Sequence, residues 1–181
     1  MAKSTLQKAR KEYKCSKCGC LINPGEEYYK ITAMYTKPYY RCKNHAPERS
    51  ELTSSEYLSW LYDLQDNLTD RYDLKEEGII DELISELENQ RDELQDKFDN
   101  IPEQLQDGDA GQTLQNRIDS LDDVISDLES LDYPEKEEIE RSDYDSDEDY
   151  EEALKEIEDK FEEALDDYVS EIEDYIGGIE E

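Results

Sequence analysis

The sequence predicts a mainly α protein: a small α+β module over residues 1–50, then an elongated antiparallel helical hairpin and an acidic C-terminal helix. Three observations predict it. Cys15-x-x-Cys18 and Cys42-x-x-His45 flank a run rich in aromatic and β-branched residues. Beyond residue 51, apolar side chains recur at alternating spacings of three and four, the period of packed helices. The charge also divides: residues 1–50 hold 11 basic and 4 acidic side chains, net +7, whereas residues 51–181 carry net −39 within a whole-chain charge of −32. Such asymmetry assigns the two parts to different surroundings.

Residues 1–12 are basic and polar (Lys3, Lys8, Arg10, Lys11) and read as a loose arm or a short helix. The paired cysteines follow. A structural zinc site takes four sulfur and nitrogen ligands in a closed tetrahedron. Two residues between Cys15 and Cys18 let the chain turn and aim both thiolates at one point, and Gly19 gives that turn an unhindered backbone. Lys17, inside the pair, offsets thiolate charge. Cys42 and His45 complete the set, and His45 is the one histidine of the chain. Cys20 has the wrong spacing for a ligand and reads as a small buried or half-exposed thiol. A disulfide framework needs an oxidising compartment, and no export signal is visible. A redox Cys-x-x-Cys needs a βαβ surround that this chain lacks. One structural Zn2+ held by Cys15, Cys18, Cys42 and His45 is therefore the expected cofactor.

Asn23-Pro24-Gly25 is a turn signal. Glu27 to Tyr35 reads as a strand, Thr36-Lys37-Pro38 as a second turn, and Tyr39-Tyr40-Arg41 as a short strand that delivers Cys42. Knuckle, hairpin and ligands near a helix start make a treble-clef-like layout. The texture from Tyr13 to His45, Cys-x-x-Cys followed by Tyr-x-Lys-Ile and Tyr-Tyr-x-Cys, resembles the PARP-type class of DNA-associated zinc fingers. It also resembles short zinc-finger proteins carried by bacterial viruses. The resemblance covers about the first fifty residues. It implies a zinc-ordered module associated with DNA, although PARP-type fingers present the second pair as His then Cys across a longer gap.

Thr53-Ser54-Ser55-Glu56 is a capping-box signature. The helix it opens places Tyr57, Trp60, Leu61, Leu64 and Leu68 on one face and is expected to end near Gly78. Ile80, Ile84, Leu87, Arg91, Leu94, Phe98 and Ile101 form an a/d seam, and Leu114, Ile118, Leu121, Ile125 and Leu128 repeat it. With Pro102 and Gly108–Gly111 between them, residues 79–101 and 112–132 are expected to fold back as an antiparallel coiled-coil hairpin, each arm roughly 30 Å long at about 1.5 Å per residue. Arg91 interrupts the seam, where a long side chain snorkels or meets a carboxylate. The helical domain thus covers 51–132. Residues 133–148 read as an acidic linker, and 149–181 as an acidic helix capped by Ser146 or Asp147, with Leu154, Ile157, Phe161, Leu165, Tyr168 and Ile172 as its apolar stripe.

Leu, Ile, Val and Phe number 35 of 181 residues, so thin helical packing is expected rather than a thick core. The carboxylates fit no EF-hand: counted from Asp143, the sixth and twelfth positions are Glu148 and Leu154, where Gly and Glu are required. Catalysis by a His-containing site would compete with the metal for His45, so no enzyme is expected. The expected function is a non-enzymatic zinc-binding adaptor in the cytoplasm, with no membrane span and no small-molecule substrate. Lys8, Arg10, Lys11, Lys14, Lys17, Lys30, Lys37, Arg41 and Lys43, interleaved with Tyr28, Tyr29, Tyr39 and Tyr40, suit a nucleic-acid backbone and its bases. A protein partner through the acidic helices is also expected. One alternative is an acidic mimic of DNA that inhibits a DNA-binding protein. Another is an assembly protein that pairs with itself through the coiled coil.

Overall fold

Residues with little apolar content fold here in two different ways, one for each half of the chain. The structure, a computed structural model, describes residues 2–32 and 37–181. It divides into two compact units, Met1–Asn67 and Leu68–Glu181. Helix accounts for 57% of it, beside a small antiparallel sheet.

In the first unit, β1 (Lys3–Lys8) pairs antiparallel with β4 (Glu27–Thr32), from Lys3 opposite Thr32 to Lys8 opposite Glu27. The expected arm or short helix is therefore a strand. Its side chains are nearly all exposed, so no alternation marks it; its pairing with β4 defines it. β4 also pairs with β5 (Tyr39–Cys42), Tyr28 standing opposite Cys42, which gives the order β1-β4-β5. Between β1 and β4 in the chain, β2 (Tyr13–Lys14) and β3 (Leu21–Ile22) form a separate two-stranded ribbon. Ala33 to Tyr35 of the expected strand, and Thr36 of the expected turn, lie outside the described residues. The Asn-Pro-Gly turn is present: the Glu26 amide donates to the Asn23 carbonyl at 3.1 Å, and Gly25 takes φ 96°, a left-handed value that favours glycine.

The core of this sheet is small. Ala9, Cys15, Ile22 and Tyr28 are buried, with Tyr13, Tyr40 and Cys42 packed on them. The Tyr13 ring stacks on Tyr28 at 4.9 Å and meets Tyr40 at 4.3 Å. Three aromatic rings thus fill what aliphatic side chains would fill in a larger domain. Helix α1 (Arg49–Leu52) is one turn long, and the Leu52 carbonyl accepts from the Ala2 amide at 2.8 Å, which ties the start of β1 to it. Helix α2 (Glu56–Arg71) is capped by Ser55, whose Oγ accepts from the Leu58 amide. Tyr57, Leu61, Leu64 and Leu68 are buried as their spacing predicts. The helix stops at Arg71, short of Gly78, and carries a non-helical residue at Asn67, where the two units divide.

In the second unit, α3 (Ile79–Asp99) and α5 (Asp109–Glu129) lie against each other, and α6 (Asp147–Gly177) lies against α5. The buried line of α3 is Ile79, Leu83, Leu87 and Leu94, with Ile80 and Ile84 half-buried. The expected seam was one residue out of step at its start. The turn between the arms contains α4 (Glu103–Gln106), and α5 begins at Asp109, so Ala110 and Gly111 are helical rather than loop. Gly111 is required there: a Cβ would lie 1.9 Å from the Gln106 carbonyl oxygen. Arg91 reaches across the hairpin, its Nη1 3.2 Å from Asp122 Oδ1.

Helix α6 starts at Ser146, whose Oγ accepts from the Asp149 amide at 3.1 Å. Ile157, Leu165, Tyr168, Ile172 and Ile176 are buried, whereas Leu154 stays exposed. The acidic linker is held along this helix rather than hanging free. Tyr133 packs edge-on against Tyr168 at 5.4 Å and donates to the Lys75 carbonyl, and Lys136 pairs with Glu158. No helix among the described residues is long and apolar enough to cross a membrane.

Candidate metal centre

Local backbone chemistry builds the site. In the β2–β3 ribbon the Cys15 amide donates to the Cys20 carbonyl at 2.8 Å, and the Gly19 amide donates back to the Cys15 carbonyl at 2.9 Å. Gly19 sits at φ 73°, the left-handed conformation this tight knuckle needs. The Ser16 amide donates to the Tyr40 carbonyl at 2.8 Å, which docks the knuckle on β5. Cys42 ends β5, and a turn closed by the His45 amide on the Cys42 carbonyl carries the imidazole back over it. His45 lies in this turn, four residues before α1 begins.

The result is a quartet. The ligand atoms of Cys15, Cys18, Cys42 and His45 all lie within 4.8 Å of one another. Cys18 Sγ is 3.9 Å from Cys42 Sγ; His45 Nδ1 is 4.0 Å from Cys15 Sγ and 3.0 Å from Cys42 Sγ. With Zn–S near 2.3 Å and Zn–N near 2.05 Å, a tetrahedron has S–S edges of about 3.8 Å and S–N edges of about 3.6 Å. The S–S separation of 3.9 Å lies close to its ideal and the two S–N separations bracket theirs, so three thiolates and one imidazole fit a zinc ion. When bound, the ion supplies a cross-link among four points of the chain; each of its four positions has a protein donor.

Electrostatics favour the thiolate at Cys15. Burial raises that thiol, but the backbone amides of Cys18, Cys42 and Lys17 outweigh it and bring it down to about 5. Cys42 moves the other way, pushed up by burial and by the neighbouring Cys15 sulfur. Cys20 lies beside the quartet. Its Sγ is 3.2 Å from Cys18 Sγ, and that hydrogen bond is the main reason its thiol is pushed up to about 12. The sequence treated Cys20 as a bystander, since spacing excludes it as a ligand; the left-handed Gly19 brings it close.

The expected cationic surface is thinner than nine residues. Arg41 is 7% exposed and paired with Glu51 of α1, so it is a structural cation and not a contact for a partner. Lys17 pairs with Glu48 at 2.5 Å rather than facing the thiolates alone, and Lys43 pairs with Glu27 at 2.6 Å. Lys30 is half-buried. Lys8 at the end of β1, Arg10 and Lys11 on the segment that links β1 to β2, and Lys14 in β2 remain exposed, and Lys37 is exposed before β5. Of the four tyrosines expected to stack on bases, Tyr28 and Tyr40 belong to the core.

No protein family, no curated protein and no solved structure matches this chain.

Proposed function

We propose that this chain is a non-enzymatic zinc-binding interaction protein, in which a structural zinc orders the N-terminal unit and the acidic helical unit provides a second surface. The observation that carries the reading is the four-donor cluster within 4.8 Å. Nucleic acid is the candidate partner of the N-terminal unit, in keeping with its resemblance to PARP-type fingers. The residues that support contact are Lys8, Arg10, Lys11 and Lys14, all exposed, from the end of β1 through β2. The whole chain carries −32, but at physiological salt a charge is felt over about 8 Å, so the local cations decide the encounter.

The test has two parts. Elemental analysis of native protein gives one zinc per chain under this reading. Binding of the full chain to duplex DNA, followed against salt, gives a slope of about −3 to −4 for four phosphate contacts. No zinc removes the whole reading; zinc without salt-dependent binding removes the nucleic-acid part and leaves a protein partner.

A second reading follows from the other unit. Residues 68–181 hold 44 acidic and 9 basic side chains, a density that suits the basic groove of a DNA-binding protein. Salt-sensitive capture of such a protein, released by competing DNA, supports this mimic; capture indifferent to DNA opposes it. Assembly through the coiled coil has less support, because the stripes of α3, α5 and α6 are already buried within the unit.

A further inference from the structure

One thiol remains outside the zinc reading, and it lies closer to the Cys18 sulfur than the Cys42 sulfur does. Cys20 Sγ stands 3.2 Å from Cys18 Sγ, whereas Cys18 and Cys42, both within the quartet, are 3.9 Å apart. Side chains two residues apart on an extended strand point the same way but stay well separated. Here Gly19, at φ 73°, folds the chain between them so that the sulfurs converge. Cys18 and Cys20 are both exposed, whereas Cys15 is buried. A cleft lined by Cys20, Leu21, Glu27, Cys42 and Lys43 lies beside the pair.

We propose that Cys18 and Cys20 form a two-electron redox pair on the open side of the metal centre, which a peroxide oxidises to a disulfide with release of zinc. This rests on the zinc reading above, since a bound zinc would hold Cys18 as the thiolate, the nucleophilic form. The Cys18 sulfur attacks one peroxide oxygen. The O–O bond breaks, hydroxide leaves, and Cys18 becomes a sulfenic acid. The Cys20 sulfur then attacks the sulfenic sulfur; an S–S bond forms, the S–O bond breaks, and the departing hydroxide takes the Cys20 proton as water. Two sulfurs each lose one electron, and the peroxide gains two. Closing a 3.2 Å approach to the roughly 2.05 Å of a disulfide takes one ligand out of the quartet. Three donors, Cys15, Cys42 and His45, do not close a structural tetrahedron. Disulfide reduction by a thiol reverses the step and restores the fourth ligand.

The experiment uses the full chain, zinc-loaded and with zinc measured first. Hydrogen peroxide is added at stoichiometric amounts, and released zinc is followed with a chromogenic chelator. Trypsin cuts after Lys17 and after Lys30, so the Cys18–Lys30 peptide carries this pair and no other cysteine. The expected result is that zinc release keeps pace with loss of two hydrogens from that peptide. Cys20→Ser should load zinc like the wild type and release it about tenfold more slowly, since it lacks the resolving thiol. Equal release from Cys20→Ser and wild type, or oxidised peptides that join Cys15 to Cys42, overturns the proposal while zinc stands. A chain that holds no zinc before peroxide is added overturns both, and does so at the first measurement.

Discussion

The two units of this molecule reach order by opposite means. The N-terminal unit buries Ile22 and Ile31 in its strands and Leu61 and Leu64 on α2, and its sheet relies besides on three tyrosine rings and a cluster of metal-type ligands. The C-terminal unit has no such cluster among its described residues, and it buries a line of Leu and Ile along each of three helices. A small sheet leaves too little apolar area to offset the entropy of folding, so a cross-link substitutes for core. Three amphipathic helices bury enough apolar area by packing, and their carboxylates remain in water. Sparse apolar content therefore does not dictate disorder; it dictates where the stabilising free energy must come from.

The sharpest way to break the comparison is to remove one ligand. Cys42→Ser should forfeit most of the metal's contribution, on the order of 10 kcal/mol, and unfold the sheet of the first unit. Circular dichroism should still report the helices of the second. Loss of helix in parallel would show that the units are not energetically separate. On the other side, Leu87→Ala or Leu121→Ala empties a fully buried position and should cost about 3 kcal/mol in the second unit, with zinc content unchanged. Chemical denaturation combined with zinc analysis checks both halves of that statement.

The ligand quartet and the helices were legible in the sequence because each is written in local spacing. Two-residue gaps between metal ligands and three-four apolar steps report directly on a knuckle and on a helix face. Features set by distant partners were not legible. The strand Lys3–Lys8 shows no alternation, because it is an edge strand whose side chains face solvent; only Glu27–Thr32 makes it a strand. Arg41 reads as a surface cation until Glu51, ten residues away on another element, is seen to meet it. The seam of α3 begins at Ile79 rather than Ile80, and Ile80 and Ile84 are only half-buried. Gly111 looked like loop punctuation, whereas its value lies in the space it leaves for the Gln106 carbonyl.

Gly111→Ala sharpens that last point. Its Cβ clash should cost about 2 kcal/mol and loosen the turn between α3 and α5. A thermal midpoint equal to that of the wild type would contradict the required glycine. Acidity tests the first unit more gently. The folded Cys15 thiol is lowered from 9.0 to about 5, so its thiolate stabilises the fold fully above pH 9 and loses that contribution as pH falls through 5. Protons also compete with zinc for the ligand thiolates, so zinc retention should fall as the solution is acidified, and retention that survives protonation of the thiols would contradict the assignment of Cys15 as a ligand. The smallest expected effect is at Arg91. Its pairing with Asp122 across the hairpin is partly exposed, so Arg91→Ala should cost about 1 kcal/mol or less, and less still at high salt.

Hydrogen exchange of the full chain, with and without a zinc chelator, tests the division most directly. Chelation should abolish protection in Glu27–Thr32 and Tyr39–Cys42 while Ile79–Asp99 and Asp109–Glu129 keep theirs. Protection in the two strands that survives chelation, in a chain free of zinc, would contradict the account.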